Sequence, residues 1–203
     1  YDRAAADPAG FWEDEARRLE WFTPWSSVMK WDEKQKSARW FDGGTINASF
    51  NCLDRHVRDG HGAQVAYFWE GEPADERRIT YADLLAETCR LANALKGLDV
   101  RRGDRVAIYM GMVPELPVAL LACARIGAIH SVVFGGFSAD SLRDRLQDGK
   151  CKAVITQDYG WRRGGKIALK QVMDDALVWA PSREKVDVLK RSGARVSEAD
   201  GRA

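Results

Sequence analysis

Two short stretches hold the residue types best suited to chemistry. At 134–138 the chain reads Phe-Gly-Gly-Phe-Ser, and two glycines after an apolar run would let a flat or phosphorylated ligand lie against bare backbone. The stretch lacks the lysine of a G-x-x-x-x-G-K-[ST] phosphate loop and the three-glycine spacing of a dinucleotide fingerprint. Glycine punctuation of this kind is more often only a strand-to-helix turn. Ser138 fits an N-cap, and Asp140 then sits in the first turn, where a carboxylate meets the positive end of the helix dipole.

The second stretch is Trp161-Arg162-Arg163-Gly164-Gly165-Lys166-Ile167. With Lys170 following and only Asp158 opposing, it concentrates positive charge beside two glycines. A guanidinium grips phosphate through two charge-assisted bonds, and a neighbouring lysine adds a point charge. Trp161 could stack on a base or serve the core. A solvated run of charge is the commoner origin of such a cluster; against that stand the glycines and the position just after a strand.

Neither stretch brings acid–base machinery. His56, His61 and His130 have no metal or triad spacing, and Asp54-Arg55-His56 has no nucleophile beside it. Glu72, Asp75 and Glu76 fit a solvated hairpin loop better than a catalytic pair. No catalytic residue and no metal ligand is assigned. The four cysteines, Cys52, Cys89, Cys123 and Cys151, contain no C-x-x-C pair and read as free thiols of a reducing, cytoplasmic compartment.

These stretches need elements to hold them. QVAYFWEG (64–71) is strand-like, and Thr80 with Asp83 three residues on opens a helix through Leu84, Leu85, Leu91 and Leu95 to Gly97. Strand RVAIYM (105–110), helix ELPVALLACARIGA (115–128), strand IHSVVF (129–134), helix SADSLRDRLQDG (138–149), strand KAVIT (152–156) and helix LKQVMDDALVWA (169–180), ending near Pro181, follow in turn. Short apolar strands alternating with helices predict an α/β fold, a mainly parallel sheet with helices on both faces. Both candidate stretches then leave the carboxyl ends of strands, where ligands of such sheets bind.

Residues 1–60 have a different texture, holding five of the eight tryptophans but no long apolar run. They are expected to form a short helix and an extended wrap whose aromatics pack on another surface. The predicted division is an N-terminal extension over 1–60 and a first part of a larger domain over 61–203. At 203 residues, 45% hydrophobic and net charge +1, the chain can bury a core. No global field argues for nucleic acid or an anionic membrane. The longest apolar stretch, around LPVALLACA, is too short to span a bilayer.

Three stretches in order, WFDGGTINASFNCLDRH (40–56), RVAIYMGMVPELPVALLACARIGAIHSVVFGGFSADSLRDR (105–145) and RRGGK (162–166), resemble the acetyl-CoA synthetases. These are AMP-forming acyl-CoA synthetases of the adenylate-forming superfamily, and the similarity runs from Phe11 to Asp175. The resemblance implies a ligase in which carboxylate and MgATP give an acyl-adenylate and pyrophosphate, after which the CoA thiol attacks and AMP leaves. It implies acetate, ATP and CoA as small-molecule partners. Phe134, Gly135 and Gly136 look like the family's rest for the CoA nucleotide. Arg162, Arg163, Gly164 and Gly165 look like its grip on the CoA phosphates, with Lys166 flanking and Ile167 packing nearby.

Three positions depart from the family pattern: Gly165 stands where many relatives have a second arginine, and Gly111 and Ala168 where proline is usual. The phosphate loop ending in Pro-Lys-Gly, the acyl pocket and the lid with its catalytic lysine have no counterpart in these residues, so the ATP and Mg sites lie outside this chain. The expectation is therefore an N-terminal portion of such an enzyme, inactive alone. The alternatives are a portion of a propionyl or acetoacetyl enzyme, or a non-enzymatic remnant acting as an interaction module.

Overall fold

The computed structural model describes residues 1–178 and 185–189; the predicted helix end near Pro181 lies outside them. The chain forms two compact units, Tyr1–Cys52 and a second that begins at Leu53.

The first unit holds two short helices, α1 (Asp2–Ala6) and α2 (Pro8–Ala16), and an antiparallel hairpin of β1 (Ser27–Asp32) and β2 (Ser37–Asp42). It is more ordered locally than an extended wrap. Asp32 shapes the hairpin turn by accepting from the Lys34 and Gln35 amides, and Lys36 takes the left-handed position with φ +50°. The aromatics find each other: Trp21, Trp25 and Phe41 form a triangle with centroids 4.9–5.4 Å apart. The two edge-to-face pairs, Trp21–Trp25 and Trp25–Phe41, add roughly 0.5–1.5 kcal/mol each beyond the area they bury.

The second unit opens with irregular, π-type turns, Phe50–Asp54 across the boundary and Val57–His61. An antiparallel hairpin follows, β3 (Val65–Glu70) with β4 (Glu76–Thr80), and then helix α3 (Tyr81–Gly97). The capping box forms as the sequence indicates: the Asp83 amide donates to Thr80 Oγ1 at 3.2 Å, and the Thr80 amide reaches back to the Asp83 carboxylate. The Thr80 hydroxyl bond also holds the Asp83 carboxyl below its usual range.

Then come β5 (Arg105–Met110), α4 (Glu115–Ile126), β6 (Ile129–Phe134), α5 (Ala139–Gly149), β7 (Ala153–Gln157), a small hairpin of β8 (Gly160–Arg162) and β9 (Gly165–Ile167), α6 (Leu169–Val178) and β10 (Lys185–Leu189). Four strands make one parallel sheet in the order β10-β7-β5-β6. Strand alternation sends side chains to both faces. Val106, Ile108 and Met110 join Ala92 and Leu95 of α3 and Ala119, Ala122 and Cys123 of α4 on one side. Ala107 and Tyr109 join Leu142 and Leu146 of α5 and Met173 and Leu177 of α6 on the other. Each fully buried leucine of this kind contributes about 1.5–3 kcal/mol.

Burial pushes the Cys123 thiol up to about 11, and all four cysteines are free. Strand β6 lies at the end of the described sheet. Val133 is buried, while Ile129, Val132 and Phe134 stay 54%, 50% and 55% exposed.

Candidate functional site

Strands β5, β6 and β7 end level with one another, Met110 pairing with Phe134 and Tyr109 with Thr156. The three segments that leave these ends enclose a cleft of about 260 Å³ together with the tip of the β3–β4 hairpin. Phe134, Gly135, Gly136, Arg162 and Ile167, all singled out in the sequence, line it. Arg163, Gly164, Gly165 and Lys166 do not line it; they form the turn and second strand of the β8–β9 hairpin.

The two stretches touch. The Arg162 guanidinium carbon lies 4.8 Å from the centroid of the Phe134 ring, a cation–π contact worth about 0.5–1 kcal/mol at an exposed site. The absent side chain at Gly136 is what admits it. A Cβ there would run into Arg162 Nη1 and stand 2.7 Å from Phe134 Cε1. The turn is pinned from below by Tyr109, whose hydroxyl donates to the Phe137 carbonyl at 3.0 Å with the Gly135 carbonyl 3.4 Å away. Burial raises the pKa of that phenol, so it stays a donor. Ser138 caps α5 as expected, accepting from the Ser141 amide.

The basic stretch is a hairpin rather than an open loop. Arg162 pairs with Gly165, and the two residues between them, Arg163 and Gly164, have φ +53° and +73°, the positive values that a two-residue type I′ turn requires. Glycine adopts this freely, whereas Arg163 gives up about 1–2 kcal/mol. Glu72 offsets that cost: its two carboxylate oxygens accept from the Arg163 and Gly164 amides, each at 3.0 Å. Exposed bonds of this kind are worth about 1 kcal/mol apiece. Glu72 does lie exposed in the β3–β4 hairpin loop, as expected, and its carboxylate is in addition engaged across 91 positions of chain.

The charge cluster is also redistributed. Lys170 lies in the first turn of α6, its ammonium against both oxygens of Asp174 at 2.6 and 2.8 Å, so it is spent locally. Asp158 turns inward at 3% exposure, its carboxylate accepting from the Tyr159 amide. Lys166 rests over the Trp161 ring, 5.2 Å from its centroid. Among the described residues, Arg162, Arg163 and Lys166 enter no ion pair, although the carboxylates Glu70, Glu72 and Asp75 line the same cleft.

The wall between the two stretches was not foreseen as part of the site. Gln157, fully buried at the end of β7, accepts from the Gly111 amide at 3.0 Å and donates to the Tyr159 carbonyl at 2.6 Å. Gly111 therefore matters as an N–H donor, which the proline usual in the resemblance would lack. The other side of the cleft is the β3–β4 hairpin, fixed by Trp69 Nε1 donating to the Met112 carbonyl and Tyr67 donating to that of Pro114, each at 2.8 Å. Burial, with Glu87 and Glu115 nearby, pushes the Tyr67 phenol up to about 12.

The remaining candidates are structural. Asp54 grips Arg125 with two bonds of 2.6 and 2.9 Å, His56 lies against the Tyr81 ring, and His61 meets Gln64. Among the described residues no group of three His, Cys, Asp or Glu side chains could hold a metal ion. No helix among them is long and apolar enough to cross a membrane.

The cleft at the carboxyl ends of the parallel sheet thus has glycine backbone on one side, Arg162 on the other, and the carboxylates Glu70, Glu72 and Asp75 at the hairpin tip. The chain belongs to the AMP-binding enzyme family, which matches residues 53–200. Residues 1–52 match the acetyl-coenzyme A synthetase N-terminus. Relatives named acetyl-coenzyme A synthetase from Rubrobacter xylanophilus and Gemmatimonas aurantiaca are each 53% identical, over 100% and 97% of this chain, and acetyl-coenzyme A synthetase 2 from Pseudomonas putida is 52% identical over all of it. The chain spans only 30–31% of the length of these relatives.

Proposed function

We propose that these residues are the N-terminal part of an acetate–CoA ligase, a cytoplasmic enzyme that makes acetyl-CoA from acetate, ATP and CoA through an acetyl-adenylate. The cleft is its seat for the CoA nucleotide. Phe134, Gly135 and Gly136 supply the surface, Arg162 with Arg163 and Lys166 supplies positive charge for the phosphates, and Gly164, Gly165 and Ile167 shape the hairpin that presents it. The observation that carries this reading is the Arg162 guanidinium lying over Phe134 and against Gly136. Two stretches 26 residues apart in sequence thereby become one anion-facing surface.

The part played here is positioning and electrostatics. This segment orients CoA, while activation of the carboxylate depends on ATP and Mg held elsewhere in the longer enzyme. That division agrees with relatives about three times as long as this chain. Free cysteines support the cytoplasmic assignment.

Titration of the protein with CoA and with 3′-dephospho-CoA tests the reading. A charge-assisted grip on the 3′-phosphate, worth about 1.5–3 kcal/mol, makes CoA the tighter ligand by about tenfold or more, and Arg162→Ala abolishes the difference. Equal binding of the two ligands to the unmodified protein overturns the assignment.

A further inference from the structure

We infer that Glu72 is a positioning residue for the arginine of the cleft: by holding the Arg163–Gly164 turn from the opposite hairpin, it sets where the Arg162 guanidinium stands. Strands β8 and β9 have three residues each, too few for a hairpin to be stable alone. Its turn places a long side chain, Arg163, in the left-handed region at φ +53°. Such a unit needs an external tie. Glu72 supplies one with both oxygens, each 3.0 Å from a turn amide.

The tie works because Glu72 is itself held. The β3–β4 hairpin that carries it is fastened to the segment after β5 by Trp69 and Tyr67, and to the start of α4 by Arg77, which donates to Glu115 at 2.7 Å. The path from the sheet to the turn thus runs through two independent anchors. Arg162 immediately precedes the turn, so a shift of the turn displaces the guanidinium from Phe134.

This has a consequence for anion binding. Two neighbouring amides of this kind make an anion nest, and here the anion is already a carboxylate of the same chain. A ligand phosphate at this end of the cleft is therefore met by the Arg162, Arg163 and Lys166 side chains and not by turn backbone. That last statement rests on the CoA reading above; the positioning role does not.

The test compares the unmodified protein with Glu72→Ala and Glu72→Gln by nuclear magnetic resonance, without ligand. In Glu72→Ala, exchange of the Arg163 and Gly164 amides accelerates at least about tenfold. The Arg162 side-chain Nε–H loses the ring-current shift imposed by Phe134. Glu72→Gln, which keeps one acceptor, restores part of both signals. Unchanged Gly103 and Gly127 amides, which lie outside the cleft lining, show that the fold is intact. An Arg162 signal that stays put in Glu72→Ala overturns the inference, as does unchanged exchange at the turn. Failure of CoA to discriminate from its dephospho form would strike the CoA reading alone, since these signals are read without ligand.

Discussion

After β6 the chain turns with very little material: two glycines, one capping serine, and a buried tyrosine hydroxyl beneath them. After β7 it builds a second hairpin of its own, carrying Trp161, Arg162, Arg163 and Lys166, and secures it with Gln157 on one side and Glu72 on the other. The first exit makes space and the second fills it. Neither would form the cleft without the other, because the guanidinium of the second occupies the volume that the first leaves empty. A glycine pair in such a fold is better understood by what leans on it than by its own conformation.

Three substitutions probe how differently the two exits are secured. Gln157→Leu keeps volume but strips partners from the Gly111 amide and the Tyr159 carbonyl. The two bonds are part-buried and worth about 0.5–1.5 kcal/mol each, so chemical unfolding is expected to show a loss of roughly 2 kcal/mol. Tyr109→Phe removes one hydroxyl bond beneath the glycine turn and lowers stability by about 1 kcal/mol in the same measurement. A loss as large as that of Gln157→Leu would mean that the first exit depends on side-chain ties as heavily as the second. Arg163→Gly has the smallest effect on folding and the opposite sign. It relieves a left-handed arginine and stabilises by up to about 1 kcal/mol, while weakening phosphate binding in a CoA titration through the lost charge. If stability falls instead, the Arg163 side chain has a structural role that the hairpin geometry does not indicate.

The sequence made the sheet legible because its strands and helices are written in local signals. Apolar runs alternate with 3.6-residue patterns, and Thr80 and Ser138 stand at helix starts with the capping geometry their types favour. The β1–β2 hairpin was hidden because its strands mix charge with aromatic residues. Its turn, Glu33-Lys34-Gln35-Lys36, contains none of the usual turn glycine or asparagine; Asp32 does that work through its side chain. The aromatic surface expected for the tryptophans proved to be, within the first unit, other aromatics.

At the site, the glycines and arginines were visible as residue types, but their meeting was not. Contacts such as Arg162 over Phe134, Glu72 on the turn and Gln157 on Gly111 join positions far apart in the chain. No spacing rule encodes them. Strands of three residues are also too short for any periodicity to register.

Strand β6 leaves the described sheet open to extension. Among the described residues nothing pairs with its outer edge, and Ile129 and Val132 are half exposed along it. With a net charge of only +1 there is little long-range repulsion between copies. An open strand edge then acts as a template for any extended segment that meets it. Any extended segment of matching pattern, from the same chain or from another copy, can add to the sheet there.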